Sequence, residues 1–174
     1  MLTHMETLDI RIGMGTDVHA FATDRDLILG GVMIDHDMGL AGHSDADVLI
    51  HAVCDAILGA AGMGDIGDLF PDTDPKYKNI DSRILLATCA RNLAQAGYRI
   101  MNLDCTVFAQ VPKLGHKKQE MAASMAETLE ISPGCVNVKA TTTEHLGFIG
   151  RKQGIAAQAI VLIAAQTNPN IRET

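Results

Sequence analysis

Asp17-Val18-His19 carries two metal-binding side chains two positions apart, and His51 stands alone on an otherwise apolar stretch between Asp47 and Asp55. In an extended segment residues i and i+2 face the same way, so Asp17 and His19 can share one ligand. An imidazole brought in from a helix would complete three protein ligands and leave one coordination position open. That is the pattern of catalytic rather than structural zinc. A metal-bound imidazole usually passes its other N–H to a carboxylate, and Asp47 and Asp55, one turn to either side of His51, are the candidates for that supporting role. Each residue taken singly also has a plain explanation, as two loop side chains and one satisfied core histidine.

Four further segments have the chemistry to hold an anion, a polyol or a base. His43-Ser44-Asp45 precedes the His51 helix. Ser44 or Asp45 can cap that helix, and its free amides and the His43 imidazole can seat a phosphate. Asp65, Asp72 and Asp74 lie in a long Gly/Pro/Asp-rich loop, with Phe70-Pro71 as its apolar foothold. Such a loop is either a solvated connection or a grip for hydroxyl groups. Lys113 closes Ala109-Gln110-Val111-Pro112-Lys113, where Pro112 stops a strand and leaves backbone groups free to bond a planar base. Thr141-Thr142-Thr143-Glu144 has the form of a capping box opening a short helix. Its amides and hydroxyls can alternatively wrap a diphosphate, with Glu144 holding a hard cation such as Mg²⁺ against the phosphate oxygens. Arg151 is a surface charge or an anion clamp. Gly62-Met63-Gly64-Asp65-Ile66-Gly67 matches G-x-G-x-x-G, but it leaves a helix and enters a loop. A dinucleotide fingerprint must leave a strand and open a helix, so a nicotinamide or flavin site is excluded.

The elements that must position these residues follow from periodicity and punctuation. Strands are predicted over 10–14 and 27–34, the second with a bulge or tight approach at Gly30-Gly31. Helices are predicted over 47–61, 82–96 and 117–129, with Asp81 capping the second and Gly97 ending it. Strands 98–110, 135–140 and 155–165 complete the pattern. Strands and helices do not alternate strictly, which favours an α+β two-layer sandwich, a mixed sheet with helices on one face, over a doubly wound fold. The 174 residues form a single domain, with 1–9 and 167–174 as flexible ends.

Composition excludes several function classes. The 14 basic and 21 acidic side chains give a formal charge of −7, which argues against nucleic-acid binding. An anionic ligand must instead be held by metals, helix ends and a few placed cations. The four cysteines form no C-x-x-C pair and read as buried free thiols of a reducing compartment. No apolar run suits a membrane span, and the first nine residues lack secretory or transit character, so a soluble cytoplasmic protein is expected.

Five runs carry a resemblance: Arg11 to Phe21, Ala41 to Ala52, Gly64 to Pro75, Ala109 to Lys113 and Val136 to Arg151. In this order and at these intervals they closely resemble the 2-C-methyl-D-erythritol 2,4-cyclodiphosphate synthases of the non-mevalonate isoprenoid route. The resemblance implies a homotrimer with active sites between subunits. It implies Zn²⁺, or another divalent transition metal, on Asp17, His19 and His51, and Mg²⁺ or Mn²⁺ held through the substrate diphosphate by Glu144. His43 and Thr142 match the transition-state stabilisers. The implied substrate contacts are Ser44, Asp65, Gly67, Phe70, Asp72, Asp74, Ala109, Lys113, Thr141, Thr142, Thr143, Glu144, Phe148 and Arg151. The substrate would be a cytidylyl ester that cyclises with loss of CMP. Two departures stand out, Leu114-Gly115-His116 in place of a proline-containing stretch and Gln153 where some relatives carry an acid. From the residues alone, a zinc hydrolase and a non-catalytic binding trimer remain alternatives.

Overall fold

The computed structural model describes residues 9–166. Strand β1 (Ile10–Ala22) runs antiparallel to β7 (Gly154–Ala165), and β7 runs antiparallel to β5 (Tyr98–Phe108). Strand β6 (Val136–Thr141) pairs parallel with β5, and the short β4 (Gly39–Leu40) pairs with the end of β1. The sheet order is β4-β1-β7-β5-β6. A separate hairpin joins β2 (Leu27–Leu29) to β3 (Val32–Ile34). Helices α1 (Val48–Ala61), α3 (Ser82–Gln95) and α4 (Lys118–Thr128) form the second layer of the sandwich. Two four-residue helices, α2 (Ile66–Leu69) and α5 (Gly147–Gly150), lie in connections. The expected α+β two-layer sandwich is the observed architecture.

Alternation decides which sheet face is covered. Ile155, Ala157, Ala159, Val161 and Ile163 of β7 are fully buried beneath the helices, with Leu103, Cys105 and Val107 of β5 beside them. On β1 the same face presents Gly13 and Gly15, which lets α1 come into backbone contact with the strand. A Cβ at Gly13 would fall 1.9 Å from the Ala56 carbonyl oxygen, and one at Gly15 would fall 2.0 Å from that of Ala52. The opposite face is uncovered, with an apolar strip on its β1 side: Ile10, Ile12, Met14 and Val18 of β1, and Ile160 of β7, which pairs with Met14, are 45–69% exposed.

Five expectations need correction. The strand predicted over 10–14 runs on to Ala22, because its antiparallel pairing with β7 continues through Ala20 and takes Asp17 and His19 into the strand. The run 27–34 is two strands, because Gly30 and Gly31 both adopt positive φ (60° and 72°) and close a tight turn. Of the bulge or tight approach expected there, the structure has the tight approach, a Cβ at Gly30 falling 2.9 Å from Met121 Cβ. Helix α1 is capped by Asp47 and neither by Ser44 nor by Asp45. The T-x-x-E segment forms no capping box: Thr141 stays in β6, and Glu144 and His145 have φ of 50° and 64°, outside the right-handed helical region. Asp9, placed among the flexible ends, is tied down, since its backbone oxygen accepts Ala165 N–H at 2.9 Å and its carboxylate accepts the Tyr98 hydroxyl at 2.8 Å. The remainder of the expected flexible ends, 1–8 and 167–174, lies outside the described residues. Other elements match closely, including Asp81 capping α3 and Gly97 beyond its end at φ 83°.

Cys54, Cys89 and Cys105 are buried free thiols and Cys135 is half-buried. Burial pushes the Cys105 thiol up to about 12, so it is inert toward oxidation and metal near neutral pH. No helix among the described residues is long and apolar enough to cross a membrane.

Candidate metal centre and substrate cleft

Asp17 and His19 lie near the C-terminal end of β1, on the face opposite Val18, and α1 delivers His51 against them. Asp17 Oδ2 stands 2.9 Å from His19 Nε2 and 3.0 Å from His51 Nδ1, and the two nitrogens are 3.1 Å apart. These three donors form the metal-ligand cluster found among the described residues. Donor edges around a tetrahedral zinc ion with bonds of about 2.0–2.2 Å are roughly 3.3–3.6 Å, so one ion fits with a small outward adjustment. The chemistry of the set fits too. Two imidazole nitrogens and a carboxylate oxygen aimed at one another make a poor hydrogen-bonded cluster and a good borderline-soft cation site.

The local field favours a cation as well. Burial opposes ionisation of Asp17, but the His19 and His51 rings beside it hold its carboxyl below the usual range. Burial pushes the His51 imidazole down, and the Asp17 carboxylate more than offsets this, leaving it above its ordinary value. Asp17 Oδ1 is occupied separately, accepting the Val18 N–H at 2.7 Å.

Asp47 and Asp55 do not support His51 as expected. Asp47 is fully buried, and its carboxylate accepts four backbone N–H groups, from Gly30 (2.9 Å), Gly31 (2.6 Å), Leu49 (3.1 Å) and Ile50 (3.0 Å). It therefore caps α1 and clamps the β2–β3 turn onto it in one device. Asp55 accepts the Ile66 N–H at 2.8 Å and anchors α2 to α1. The far nitrogen of His51, Nε2, instead lies 3.1 Å from both Ser44 Oγ and Ser82 Oγ. Ser82, with Asp45 behind it, went unnoticed in sequence because it reads only as the first residue of a capped helix. Arg25 was missed as well. Its guanidinium donates to the carbonyls of Gly42 and Ser44 and so holds the His43 loop in place.

A cleft of about 680 Å³ opens beside the cluster, lined by His19, His51, His43, Ser44, Gly67, Phe70 and Asp72 among others. Phe70 is held edge-on against Tyr77 at 5.3 Å between ring centroids, the predicted apolar foothold of the loop. Asp65 and Asp74, expected as polyol contacts, act as caps: Asp65 accepts the Asp68 N–H, and Asp74 accepts the Lys76 N–H and pairs with its ammonium. A second, smaller pocket of about 160 Å³ is lined by Ala109, Pro112, Lys113, Leu114, Lys118, Thr141 and Thr142. Thr142 donates its hydroxyl to Glu144 Oε1 at 2.7 Å, and Thr143 donates to the Leu146 carbonyl at 2.7 Å. Thr143, Glu144, Phe148 and Arg151 line neither pocket; Phe148 is exposed, and Arg151 Nε donates to Gln153 Oε1 at 3.3 Å.

The profile of the YgbB family matches residues 10–164, nearly the whole described chain. The chain belongs to the YgbB family. Its similarity to named members is high. A 2-C-methyl-D-erythritol 2,4-cyclodiphosphate synthase of Bordetella avium is 55% identical over 160 residues, covering 92% of this chain and 99% of its own length. One from Thioalkalivibrio sulfidiphilus is 56% identical over 155 residues, covering 89% and 97%. Among solved structures, the bifunctional IspDF of Campylobacter jejuni superposes with a TM-score of 0.89 at 50% identity. This YgbB-family chain spans 91% of itself and 43% of that longer protein. IspF of Plasmodium falciparum, in complex with CDP, superposes with a TM-score of 0.80 at 35% identity, covering 91% of this chain and 97% of its own.

Proposed function

We propose that this YgbB-family chain converts 4-diphosphocytidyl-2-C-methyl-D-erythritol 2-phosphate to 2-C-methyl-D-erythritol 2,4-cyclodiphosphate and CMP, a cytoplasmic step of non-mevalonate isoprenoid synthesis. The observation that carries this reading is the convergence of Asp17, His19 and His51 on one point at the edge of a cleft, in a chain more than half identical to synthases of that name. An oxygen of the 2-phosphate attacks the β-phosphorus, the bond from that phosphorus to the bridging oxygen breaks, and CMP departs with the oxygen.

Asp17, His19 and His51 would hold Zn²⁺ or a similar divalent ion, and Glu144 would hold Mg²⁺ or Mn²⁺ through the diphosphate; these ions supply charge neutralisation at the phosphate oxygens. The protein's own part is mostly placement, since phosphoryl transfer asks for alignment and charge stabilisation more than a strong base. His43 donates to oxygens on which charge grows, and Thr142 does so once its hydroxyl turns from Glu144 to the phosphate. Ser44, Gly67, Phe70 and Asp72 hold the methylerythritol moiety in the cleft, and Ala109 to Lys113 receive the cytidine. Holding the 2-phosphate against the diphosphate within the cleft, with water excluded, lets ring closure outrun hydrolysis.

A trimer accounts for two features together. The uncovered strip of Ile10, Ile12, Met14, Val18 and Ile160 is a large apolar face, of the kind that marks an interface. The metal cluster and the Lys113 pocket sit at the same end of the sheet, because Ile155 pairs with His19 while Ala156 pairs with Phe108. They stand on opposite sides of β7 with no shared lining residue. A neighbouring copy packed on that strip would complete one site from the cleft of one chain and the nucleotide pocket of the next.

Incubation with the cytidylyl substrate and Mg²⁺, followed by ³¹P NMR, tests the reading. The two coupled resonances of the cyclic diphosphate are expected alongside CMP. CMP with an open-chain phosphate product would identify a hydrolase and refute ring closure.

A further inference from the structure

We propose that Asp45 and Ser82 position the metal ligand His51 through its far nitrogen, fixing the tautomer that binding requires. This rests on the metal reading of the Asp17/His19/His51 cluster and adds the residues that prepare it. His51 Nδ1 faces Asp17 and His19, so Nε2 faces into the protein, 3.1 Å from Ser82 Oγ and 3.1 Å from Ser44 Oγ. Ser82 has a single hydroxyl proton, and its destination is settled by Asp45 Oδ1 at 2.5 Å, since a carboxylate only accepts. Ser82 Oγ therefore offers His51 only a lone pair, and Nε2 must carry the hydrogen. Nδ1 is then the nitrogen available to a metal, directed at the point the other two ligands share, with the Asp17 carboxylate 3.0 Å away.

The relay is rigid. Asp45 is held from three sides: Oδ2 accepts the Ser82 N–H at 3.0 Å, Oδ1 accepts the Asp47 N–H at 3.3 Å, and its own N–H donates to the Ile80 carbonyl at 3.1 Å. Ser82 is fully buried, so no water competes for its hydroxyl. Ser44 cannot take over the task. Its Oγ accepts the Ala46 N–H at 3.1 Å, but its proton is committed to no carboxylate, so it can either donate to Nε2 or accept from it. Only the Asp45-backed serine forces one direction. Helix α1 thus brings the imidazole, and the start of α3 orients it.

Zinc affinity, measured by competition with a chromophoric chelator, tests the relay without recourse to turnover. Ser82→Ala should weaken zinc binding about 10–100-fold, and Ser82→Thr, which keeps the hydroxyl, should stay within about threefold of wild type. Thermal melting establishes that each variant is folded. In the zinc-loaded wild type the His51 Nε2–H proton should appear in a ¹H–¹⁵N correlation, protected from solvent exchange, and it should exchange rapidly in Ser82→Ala. If Ser82→Ala does not fold, Asp45→Asn, which no longer commits the Ser82 proton to a carboxylate, is measured in the same two ways, and unchanged zinc affinity and Nε2–H protection there overturn the relay. Unchanged zinc affinity in folded Ser82→Ala, or no protected Nε2–H in the wild type, overturns the relay alone. A wild-type protein that binds no zinc overturns the metal reading and the relay with it.

Discussion

Replacing Gly15 with alanine should damage the metal site from a position that touches no ligand. A Cβ built there falls 2.0 Å from the Ala52 carbonyl oxygen and 2.6 Å from the Ala56 nitrogen, whereas real Cβ contacts essentially never come under 3.0 Å. Both obstacles are backbone atoms of α1, so no side-chain rotation relieves the clash. The helix and β1 must separate locally by about 1 Å, a displacement on the scale of the overpacking that costs about 1–3 kcal/mol. For a chain of this length that corresponds to a fall of roughly 2–12 °C in Tm. His51 precedes Ala52 on the helix and Asp17 follows Gly15 by two on the strand, so the same separation opens the 3.0 Å approach of Asp17 to His51. Metal sites tolerate deviations of about 0.2 Å, and zinc affinity should fall by at least about tenfold. The control is Gly59→Ala on the same helix, where a Cβ meets nothing within 4 Å. That change should be neutral or stabilise by up to about 1 kcal/mol. Differential scanning calorimetry and chelator competition read both quantities. A Gly15→Ala protein that melts and binds zinc like the wild type would refute the claim that strand–helix contact sets the ligand geometry.

Three more outcomes follow from the same structure. Asp47→Ala should cost at least about 3 kcal/mol, because it leaves three buried amides and the part-buried one of Gly31 without their acceptor, and urea unfolding measures it. Burial pushes the Asp47 carboxyl up to about 6 against the pull of the Gly31, Ile50 and Gly30 amides. Between its ordinary value near 3.8 and about 6 the folded protein binds more proton there than the unfolded chain does, so this group's contribution to stability rises as pH falls through that window. A ¹³C carboxyl titration with a midpoint at or below 4 would contradict it. If sites are shared between copies, mixing Lys113→Ala with Asp17→Ala protein should restore part of the turnover that each lacks alone; inactive mixtures would place the complete site within one chain.

Much of this protein could be read from local pattern. Asp17-x-His19 faced one way because strand side chains alternate, and His51 announced itself as the polar residue of an apolar helix. Asp81 and Gly97 marked the bounds of α3 through the orphan amides and carbonyls that any helix end leaves. Where several local structures suit one string, pattern failed: Leu27 to Ile34 is apolar enough for one strand, and only the paired positive φ of Gly30 and Gly31 made it a hairpin. Thr141 to Glu144 had the letters of a capping box, yet pairing with β5 kept Thr141 in the sheet. The partners of the acidic residues lay further out of reach. Asp47 and Asp55 had the right helical spacing to serve His51, but each was taken by backbone amides of a distant loop. Ser82, 31 positions from the imidazole it meets, carried no sign of that contact. A residue's type and its neighbours' periodicity set what it is able to bond, because those are properties of the chain. Which group arrives to be bonded depends on how closely α1 packs on two glycines of β1 and where α3 begins, and only the assembled core decides that.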